Sequence, residues 1–324
     1  KINKEIKRAC DRLISDEYSD LNAMVAYHLG FARDKFPKGN QGKKLRPMIL
    51  LLSCVASGGA WELALPAATA IELIHNFSLI HDDIEDKSTL RHGRDTLWFK
   101  WGAEKAINAG DAMFAMAFTE ILRLQEMNST EIAVTAASIL SRNCLDLTKG
   151  QSLDLFFENK DSISIEDYLG MSVGKTSSLF SAATEIGGFI AGVERNIQTQ
   201  LGQFGRTLGI AFQMQDDWLG IWGMNTITGK SSSSDLITGK KTLPILFAIK
   251  EKPSLVETLN KGIDLHDLER LTSEISDTGA EEYTLELVRE NLDKCLYSLE
   301  KCNFTNDAGM ALQELVVNLI HRES

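Results

Sequence analysis

Proline and cysteine are both scarce in this chain of 324 residues, which has 5 of each. So few prolines favour long helices, because proline interrupts a helix and an all-β chain of this length would carry more turn residues. No CxxC pair is present, which argues against a zinc ribbon or a disulfide framework. We expect the thiols to be reduced and mostly buried in a cytosolic protein. They are Cys10, Cys54, Cys144, Cys295 and Cys302.

Long apolar runs and an excess of basic residues are also missing. No run reaches the roughly 18–20 residues that cross a membrane, and the first ten residues are too polar for a signal peptide. We therefore expect a cytoplasmic protein with no membrane span, although the start at Lys1 leaves an upstream targeting segment open. The net charge of −11 argues against nucleic acid as the main partner, because a phosphate backbone needs a basic face. Locally concentrated lysines and arginines would still bind a small anion.

Apolar residues recur at helical spacing along nearly the whole chain. Leu285, Val288, Leu292 and Leu299 trace one such face. The pattern predicts about a dozen helices and no confident strand. We interpret residues 1–324 as a single all-α domain, with two helical halves as the alternative.

Three carboxylates lie close together near the end of one predicted helix. At 100° per residue, Asp86 is about 40° from Asp82 and about 60° from Asp83, so all three share one face. Carboxylates clustered in this way indicate a hard divalent cation such as Mg²⁺, which binds one or two carboxylates together with phosphate oxygens and waters. For this motif alone, a solvated helix end is the alternative.

A second apolar helix ends in the adjacent pair Asp216 and Asp217. Two acidic helix ends that face each other would hold several cations, and a diphosphate would bridge those cations. His75 precedes Asp82 by seven residues, about 20° round the helix and about 10 Å along it, so we expect it to point into the same cavity. Basic residues at several points would supply the anion-binding groups. The alternative from a different functional class is a helical scaffold protein that binds no ligand.

Taken in order, the motifs resemble those of the trans-polyprenyl diphosphate synthases, the family of farnesyl and geranylgeranyl diphosphate synthases. The resemblance implies an all-α, isoprenoid-synthase-type helical bundle around a deep central cavity, usually a homodimer. The motifs are Gly-Lys-Lys-Leu-Arg-Pro at 42–47, His-Asp-Asp-Ile-Glu-Asp at 81–86, Arg-His-Gly-Arg at 91–94, Ala-Gly-Asp at 109–111, Gly-Gln-Ser-Leu-Asp-Leu at 150–155, Lys-Thr at 175–176, Phe-Gln-Met-Gln-Asp-Asp at 212–217 and Gly-Lys-Lys-Thr-Leu-Pro at 239–244.

The resemblance also implies the reaction and the roles of its residues. An allylic diphosphate ionises with the help of three Mg²⁺ ions, isopentenyl diphosphate attacks the carbocation, and a proton is lost. Asp83 is expected to be catalytic with the rest of the first acidic motif. By motif position, the metal ligands are Asp82, Asp86 and Asp216, and the reacting centre is lined by Thr176 and Gln213. The allylic diphosphate is held by Arg91, Lys175, Lys230 and Lys240. Isopentenyl diphosphate is held by Lys43, Arg46, His75 and His92.

The length of the product follows, in this family, from side chains about one turn below the first aspartate. Here Ser78 leaves space on the Asp82 face, and the bulky Phe77 is expected to form a floor beside it. This combination resembles short-chain synthases that make a product of about C20. We therefore expect geranylgeranyl diphosphate, with farnesyl diphosphate or a C25 product as the neighbouring alternatives.

Two positions depart from the family pattern. Gly220 stands where the second acidic motif usually has its third aspartate, and His92 replaces an arginine that helps to bind isopentenyl diphosphate. A histidine is only partly charged at neutral pH, so the contact should be weaker. These departures leave open a terpene cyclase-like protein, or a non-elongating regulatory subunit, acting on allylic diphosphates.

Overall fold

Helices dominate the computed structural model of the chain, which describes residues 1–14, 19–31, 44–158, 160, 163–223, 236, 240–260 and 267–320. Lys43 and Lys230 lie outside the described residues. Within those ranges the only strands are β1 (Leu90–Arg91) and β2 (Arg94–Asp95), which pair antiparallel. The expectation of an all-α fold is confirmed.

The helices are more numerous than the dozen expected, because several predicted elements are divided by short breaks. The first eight helices are α1 (Ile2–Leu13), α2 (Ser19–His28), α3 (Leu45–Ala56), α4 (Leu65–Glu85), α5 (Leu97–Trp101), α6 (Ala103–Leu122), α7 (Leu124–Met127) and α8 (Thr130–Glu158). The others described are α9 (Ile165–Ser172), α10 (Ser178–Ile190), α11 (Arg195–Trp222), α12 (Leu243–Glu251), α13 (Leu255–Asn260), α14 (Leu268–Ser276), α15 (Ala280–Cys302) and α16 (Asp307–Ile320). A 3₁₀ turn at Trp61–Ala64 precedes α4, and a π-helical turn at Val173–Ser177 joins α9 to α10.

The chain forms two compact units. The first comprises Lys1–Arg142, Ala182–Gln198 and Asn306–Gly309, and the second comprises Asn143–Ser181, Thr199–Thr305 and Met310–Ser324. The interpretation of residues 1–324 as a single domain stays a prediction. All five cysteines are free and buried, as expected.

The first unit is built round α4, which packs against α3 and α6. Its side chains Ile71, Leu73 and Ile74 are fully buried, so the apolar face of the helix is used in the core. Together with the 3₁₀ turn it spans Trp61–Glu85, the one helix within the described ranges that is long and apolar enough to cross a bilayer. Two thirds of its most apolar window, 67%, is buried in protein, which is the pattern of a core helix.

The β1–β2 hairpin positions two arginines of the site. Its turn is formed by His92 and Gly93, whose φ angles of 51° and 74° both lie in the left-handed region. A two-residue hairpin turn of this kind requires positive φ at both central positions, which glycine adopts freely and histidine tolerates. Arg91 and Arg94 are cross-strand partners on either side of the turn. The sequence predicted no confident strand here, and the missed signal is the His-Gly pair between two arginines.

The second unit has a core of aliphatic side chains from α11, α12 and α14. Its fully or nearly fully buried members include Ile221, Ile245, Leu271 and Ile275. Helix α9 begins with a capping box, in which Ser164 and Asp167 exchange side-chain and backbone hydrogen bonds. This cap fixes where α9 starts, and therefore where the π-helical turn that follows it lies.

Candidate active site

The first acidic pair lies at the end of α4, and its two aspartates have different surroundings. The Asp83 side chain is only 3% exposed, and its Oδ1 accepts a hydrogen bond from Nε of Arg91 at 2.8 Å and lies 2.8 Å from Nη2 of that residue. Asp82 is 20% exposed, and its Oδ2 lies 3.7 Å from Nη2 of the same arginine. Asp86, the residue that caps α4, is exposed. Asp83 therefore anchors Arg91, while Asp82 and Asp86 are the more accessible carboxylates.

The buried position of Asp83 alters its protonation. Burial raises its pKa from the ordinary value to about 6, and the nearby Arg91 opposes that shift by favouring the carboxylate. Asp83 is engaged with Arg91, whereas Asp82 and Asp86, the two expected metal ligands of this motif, are more accessible. Its catalytic role stays a prediction.

A basic cleft opens beside this pair in the first unit. It is lined by residues of α2, α4 and the hairpin, among them Lys44, Arg91 and Arg94. Lys44 donates to Glu72 at 2.8 Å, and Glu72 also accepts a hydrogen bond of 2.8 Å from Asn76. The Lys44–Glu72 ion pair compensates part of the positive charge of the cleft, and the hydrogen bond from Asn76 holds Glu72 in place.

His75 also lines this cleft, together with Asp83. That it shares a cavity with the expected metal ligands Asp82 and Asp86 stays a prediction. Its Nε2 is 3.3 Å from Nη1 of Arg46. An arginine can only donate, so Nε2 is the acceptor and the ring proton resides on Nδ1. Burial lowers the pKa of His75 well below its ordinary value, and the neighbouring Arg46 and Lys44 lower it further. The structure thus brings the two isopentenyl diphosphate candidates Arg46 and His75 together, with His75 neutral.

Several residues of the cleft were not singled out from the sequence. Burial lowers the pKa of His28 to about 3, helped by the positive charges of Arg91 and Lys44. Arg94 stacks over the ring of Tyr27 at 4.1 Å and donates to the Tyr27 carbonyl at 2.8 Å. No local pattern marks these partners, because His28 and Tyr27 come from α2, far along the chain from the motifs. His92 lines the same cleft from the turn.

The candidate chain-length residues lie one turn and more below Asp82. Ser78 donates its hydroxyl hydrogen to the His75 carbonyl at 2.8 Å. The Phe77 ring packs 5.1 Å from that of Phe114 on α6 and 4.7 Å from that of His81. Phe77 therefore lies on the α6 side of α4, about 140° round the axis from Asp82. Its role as a floor stays a prediction.

In the second unit, a close backbone contact positions Lys175. A Cβ added to Gly150 of α8 would meet the Lys175 nitrogen at 2.0 Å, so only glycine lets the π-helical turn approach α8 so closely. Asp154 lies one helical turn after Gly150 and accepts a 2.5 Å hydrogen bond from Lys175 Nζ. Because π-helical turns are frequent at functional sites, this contact supports a functional role for Lys175.

The second acidic pair repeats the asymmetry of the first. Asp216 is exposed, whereas Asp217 is 3% exposed and accepts three hydrogen bonds. Its Oδ2 accepts from the Tyr168 hydroxyl at 2.6 Å and from the Leu243 N–H at 3.1 Å, and its Oδ1 accepts from Gln213 Nε2 at 2.8 Å.

Thr176 and Gln213, expected at the reacting centre, are in direct contact. The Thr176 hydroxyl donates to Gln213 Oε1 at 2.6 Å. A Cβ added to Gly209 of α11 would meet Ser177 at 2.5 Å, so a second glycine allows α11 to pack directly on the π-helical turn. Tyr168 was missed from the sequence, because nothing local distinguishes it from an ordinary core tyrosine.

The candidate residues still to be placed are Lys240, expected to bind diphosphate, and the expected metal ligands Asp82 and Asp216. Lys240 is exposed, and its neighbour Lys241 donates to the carbonyls of Phe157 and Glu158 at the end of α8. Since Asp82 and Asp216 belong to different units, their meeting across one cavity stays a prediction.

The donor set fits Mg²⁺ that is held together with a substrate. Among the described residues, no three side chains of His, Cys, Asp or Glu converge as a preformed metal site. The accessible candidates are instead the carboxylate oxygens of Asp82 and Asp86, at the end of α4, and of Asp216. The sequence predicted a helix end at Asp216 and Asp217 as well, but α11 continues to Trp222, six residues beyond Asp216, so this part of the prediction is wrong. Mg²⁺ commonly binds through one or two carboxylates, with the other positions taken by substrate phosphates and water.

Comparison with known proteins decides the family. A family model described as polyprenyl synthetase matches residues 37–275, which is well over half of the chain. The chain belongs to the polyprenyl synthetase family. It is 37% identical over 250 residues to a (2E,6E)-farnesyl diphosphate synthase of Mycobacterium bovis, covering 76% of this chain and 67% of that one. The expectation of a trans-prenyltransferase is confirmed.

Two other relatives of this polyprenyl synthetase have different products in their names. A geranylfarnesyl diphosphate synthase of Aeropyrum pernix is 37% identical over 284 residues, covering 86% of this chain and 89% of that one. The structure of a geranylgeranyl pyrophosphate synthetase from the archaeon Geoglobus acetivorans superposes with a TM-score of 0.87 at 34% identity, covering 99% of this chain and 97% of that one. The fold is therefore shared along nearly the whole chain, while the named products differ in length.

Proposed function

We propose that this polyprenyl synthetase condenses an allylic diphosphate with isopentenyl diphosphate to form an all-trans product of about C20, geranylgeranyl diphosphate. The observation that supports this function best is that each unit sets an acidic pair close to cationic or polar groups of the family motifs. In the first unit Asp82 lies beside Arg91, and in the second Asp216 follows Gln213, the partner of Thr176, by three residues on α11.

The metal sites would be formed by Asp82, Asp86 and Asp216, and we propose three Mg²⁺ ions. Bound Mg²⁺ would supply positive charge that stabilises the leaving diphosphate. Arg91, Lys175, Lys230 and Lys240 would bind the allylic diphosphate. Arg91 and Lys175 are already held in ion pairs, with Asp83 and Asp154, which place their charges before substrate arrives.

Isopentenyl diphosphate would be bound by Lys43, Arg46, His75 and His92. The neutral His75 would donate from Nδ1, because its Nε2 is engaged by Arg46. Thr176 and Gln213 would face the reacting carbon with polar atoms and no strong base. Released diphosphate is then the proposed acceptor of the lost proton.

A homodimer is also proposed. Helix α6 exposes Ile107, Phe114 and Leu122, which are 43%, 37% and 43% accessible. Large apolar side chains spaced in this way on one exposed helix are typical of a protein interface. Sedimentation of the protein would show a dimer, and the cytoplasmic location expected from the sequence stays a prediction.

The decisive experiment for the function is a product assay. Protein would be incubated with Mg²⁺, isopentenyl diphosphate and allylic primers, and diphosphate products separated by chain length. Longer diphosphates support elongation. Hydrocarbons or alcohols would indicate a terpene cyclase, and the absence of turnover with retained partner binding would indicate a subunit. The named relatives do not favour either alternative.

The product length is tested by Phe77→Ala in the same assay. Removing the ring opens space beside Ser78, on the α6 side of α4 and more than one turn below Asp82, so products longer than C20 should increase. Phe118→Ala on α6 is a matched control, since Phe118 contacts Phe114 but not Phe77 in the aromatic cluster. An unchanged distribution for Phe77→Ala would place the floor elsewhere.

A further inference from the structure

Four polar side chains of the second unit form one continuous chain of hydrogen bonds. It runs from Tyr168 through Asp217 and Gln213 to Thr176, with donor–acceptor distances of 2.6, 2.8 and 2.6 Å. Three of the four are at least nine-tenths buried, so water cannot easily replace these bonds. Only Thr176 and Gln213 were assigned to the reacting centre. Tyr168 has no assigned role.

The chemistry of each member gives the chain a direction. Oδ2 of Asp217 accepts from the Leu243 backbone N–H, which can only donate, and Oδ1 faces Gln213. A carboxylate oxygen accepts, so the amide of Gln213 turns its NH₂ to Asp217 and its carbonyl to Thr176. The Thr176 hydroxyl must then donate to Gln213. Its oxygen is left with lone pairs and no hydrogen to present.

This direction matters for the chemistry proposed above. A carbon that develops positive charge is stabilised by oxygen lone pairs and destabilised by a hydroxyl hydrogen aimed at it. The orientation of Thr176 is therefore as important as its presence. Burial raises the pKa of Tyr168 well above its ordinary value, with Asp217 contributing, so Tyr168 stays a protonated donor.

We propose that Tyr168 is a positioning residue, which holds Asp217 and Gln213 so that Thr176 presents only acceptor lone pairs to the reacting carbon. Tyr168 contacts no substrate in this proposal, which rests on the prenyltransferase function proposed above. It acts through Asp217, whose carboxylate it fixes together with the Leu243 N–H.

The first test is Tyr168→Phe, which removes one hydroxyl and keeps the ring. We expect kcat to fall about 5- to 10-fold, the effect of roughly one neutral hydrogen bond, with KM for both diphosphates unchanged. Tyr283→Phe is the matched control, because Tyr283 lies in the same unit and stacks on Phe247, outside the chain of hydrogen bonds. Its kcat should stay within about twofold of the wild type.

A double-mutant cycle separates positioning from general loss of structure. In the Thr176→Val background the hydroxyl to be oriented is gone, so Tyr168→Phe should change kcat less than about twofold. Thr176→Ser keeps the hydroxyl and should keep the sensitivity to Tyr168→Phe. An equal effect of Tyr168→Phe in the wild-type and Thr176→Val backgrounds would overturn the proposal.

Asp217→Asn provides a test that does not depend on the folding of Tyr168→Phe. The oxygen of the new side-chain amide must accept from the Leu243 N–H, so the NH₂ group of that amide would face Gln213 and reverse the Gln213 amide. Thr176 would then accept from Gln213 and turn its hydrogen outward. We expect kcat to fall further than in Tyr168→Phe, with the Mg²⁺ concentration for half-maximal rate unchanged. A kcat within about twofold of the wild type, or a loss explained by Mg²⁺ alone, would contradict the proposed direction.

The outcome for the wild-type protein distinguishes the two proposals. A wild type that elongates allylic primers, with variants that behave like Tyr283→Phe, would overturn the positioning role alone. A wild type that forms no longer diphosphate would contradict the proposed function, and the positioning role with it.

Discussion

The two acidic pairs of this polyprenyl synthetase share one design but differ in what surrounds the buried member. In both pairs the second aspartate is 3% exposed and the first is more accessible. Asp83 is bound by a single cation, Arg91, which is itself a candidate ligand of the substrate. Asp217 accepts hydrogen bonds from at least three donors without charge, which belong to α9, α11 and α12.

The difference indicates two kinds of anchor. An ion pair with one partly exposed arginine can exchange partners when a diphosphate arrives, because the arginine can divide its five N–H donors between two anions. A carboxylate held by three neutral donors from three helices has no such freedom, since moving it would leave buried donors unsatisfied. We therefore expect the first pair to adjust to the substrate and the second to act as fixed framework.

The largest expected effect concerns the accessible aspartates. Asp82→Ala and Asp216→Ala should each lower kcat about 10²- to 10³-fold, because each removes a carboxylate proposed to hold Mg²⁺. Their thermal unfolding should stay close to that of the wild type, since neither side chain is buried. Full activity in either variant would show that the accessible aspartates of the two pairs do not both hold Mg²⁺. Glu85→Ala, one residue from Asp86 and exposed, is the control.

The buried aspartates should separate in stability. Asp217→Ala leaves the Tyr168, Gln213 and Leu243 donors without their acceptor, which should cost about 3 kcal/mol or more of unfolding free energy. Asp83→Ala releases only Arg91, which is 26% exposed and can turn to water, so about 1–2 kcal/mol is expected. Urea unfolding measures both. Equal losses would contradict the distinction between an exchangeable and a fixed anchor.

In the proposed isopentenyl diphosphate site, one substitution is expected to improve substrate binding, with a smaller effect than the aspartate substitutions have. His92→Arg restores a permanent charge in the cleft beside Arg91 and should lower KM for isopentenyl diphosphate by about 3- to 10-fold. The KM for the allylic primer should not change. Initial rates at varied isopentenyl diphosphate test this, and an unchanged or raised KM would show that position 92 does not contact that substrate.

The smallest expected effect over a single pH unit is a loss of stability on acidification that originates at His28 of the first unit. The folded pKa of His28 is lowered to about 3, so between about pH 6.5 and 3 the unfolded chain binds a proton that the folded chain does not. The contribution of His28 to the free energy of unfolding is therefore fully present above the pKa of about 6.5 that histidine has in the unfolded chain. It is lost as the pH drops, by at most about 1.4 kcal/mol per pH unit. His28→Gln should flatten the slope measured by urea unfolding. The same slope in the variant would assign it to other groups.

The sequence singles out charged candidate residues more readily than the residues that contact them. Asp82, Asp216 and Lys175 stand out because each carries a charge inside a motif that resembles those of one family. Their partners Tyr168 and Glu72 look like ordinary interior residues until the chain is folded. Such partners come from distant helices, and no spacing rule relates them.

Local geometry explains other differences between sequence and structure. Helical periodicity located α4 and α11 because their apolar faces are long and regular. It did not reveal the π-helical turn, since one extra residue per turn leaves little trace in a five-residue segment. Gly150 and Gly209 are the sequence signs of that turn, and they are meaningful only once their neighbours on other helices are known.

The central claim, that the two accessible aspartates jointly hold Mg²⁺ on a diphosphate, is tested most directly by counting bound metal. Mn²⁺ can replace Mg²⁺, and its binding in the presence of inorganic diphosphate can be followed by electron paramagnetic resonance. We expect three ions per chain in the wild type and fewer in both Asp82→Ala and Asp216→Ala. The same number of ions in all three proteins would contradict it.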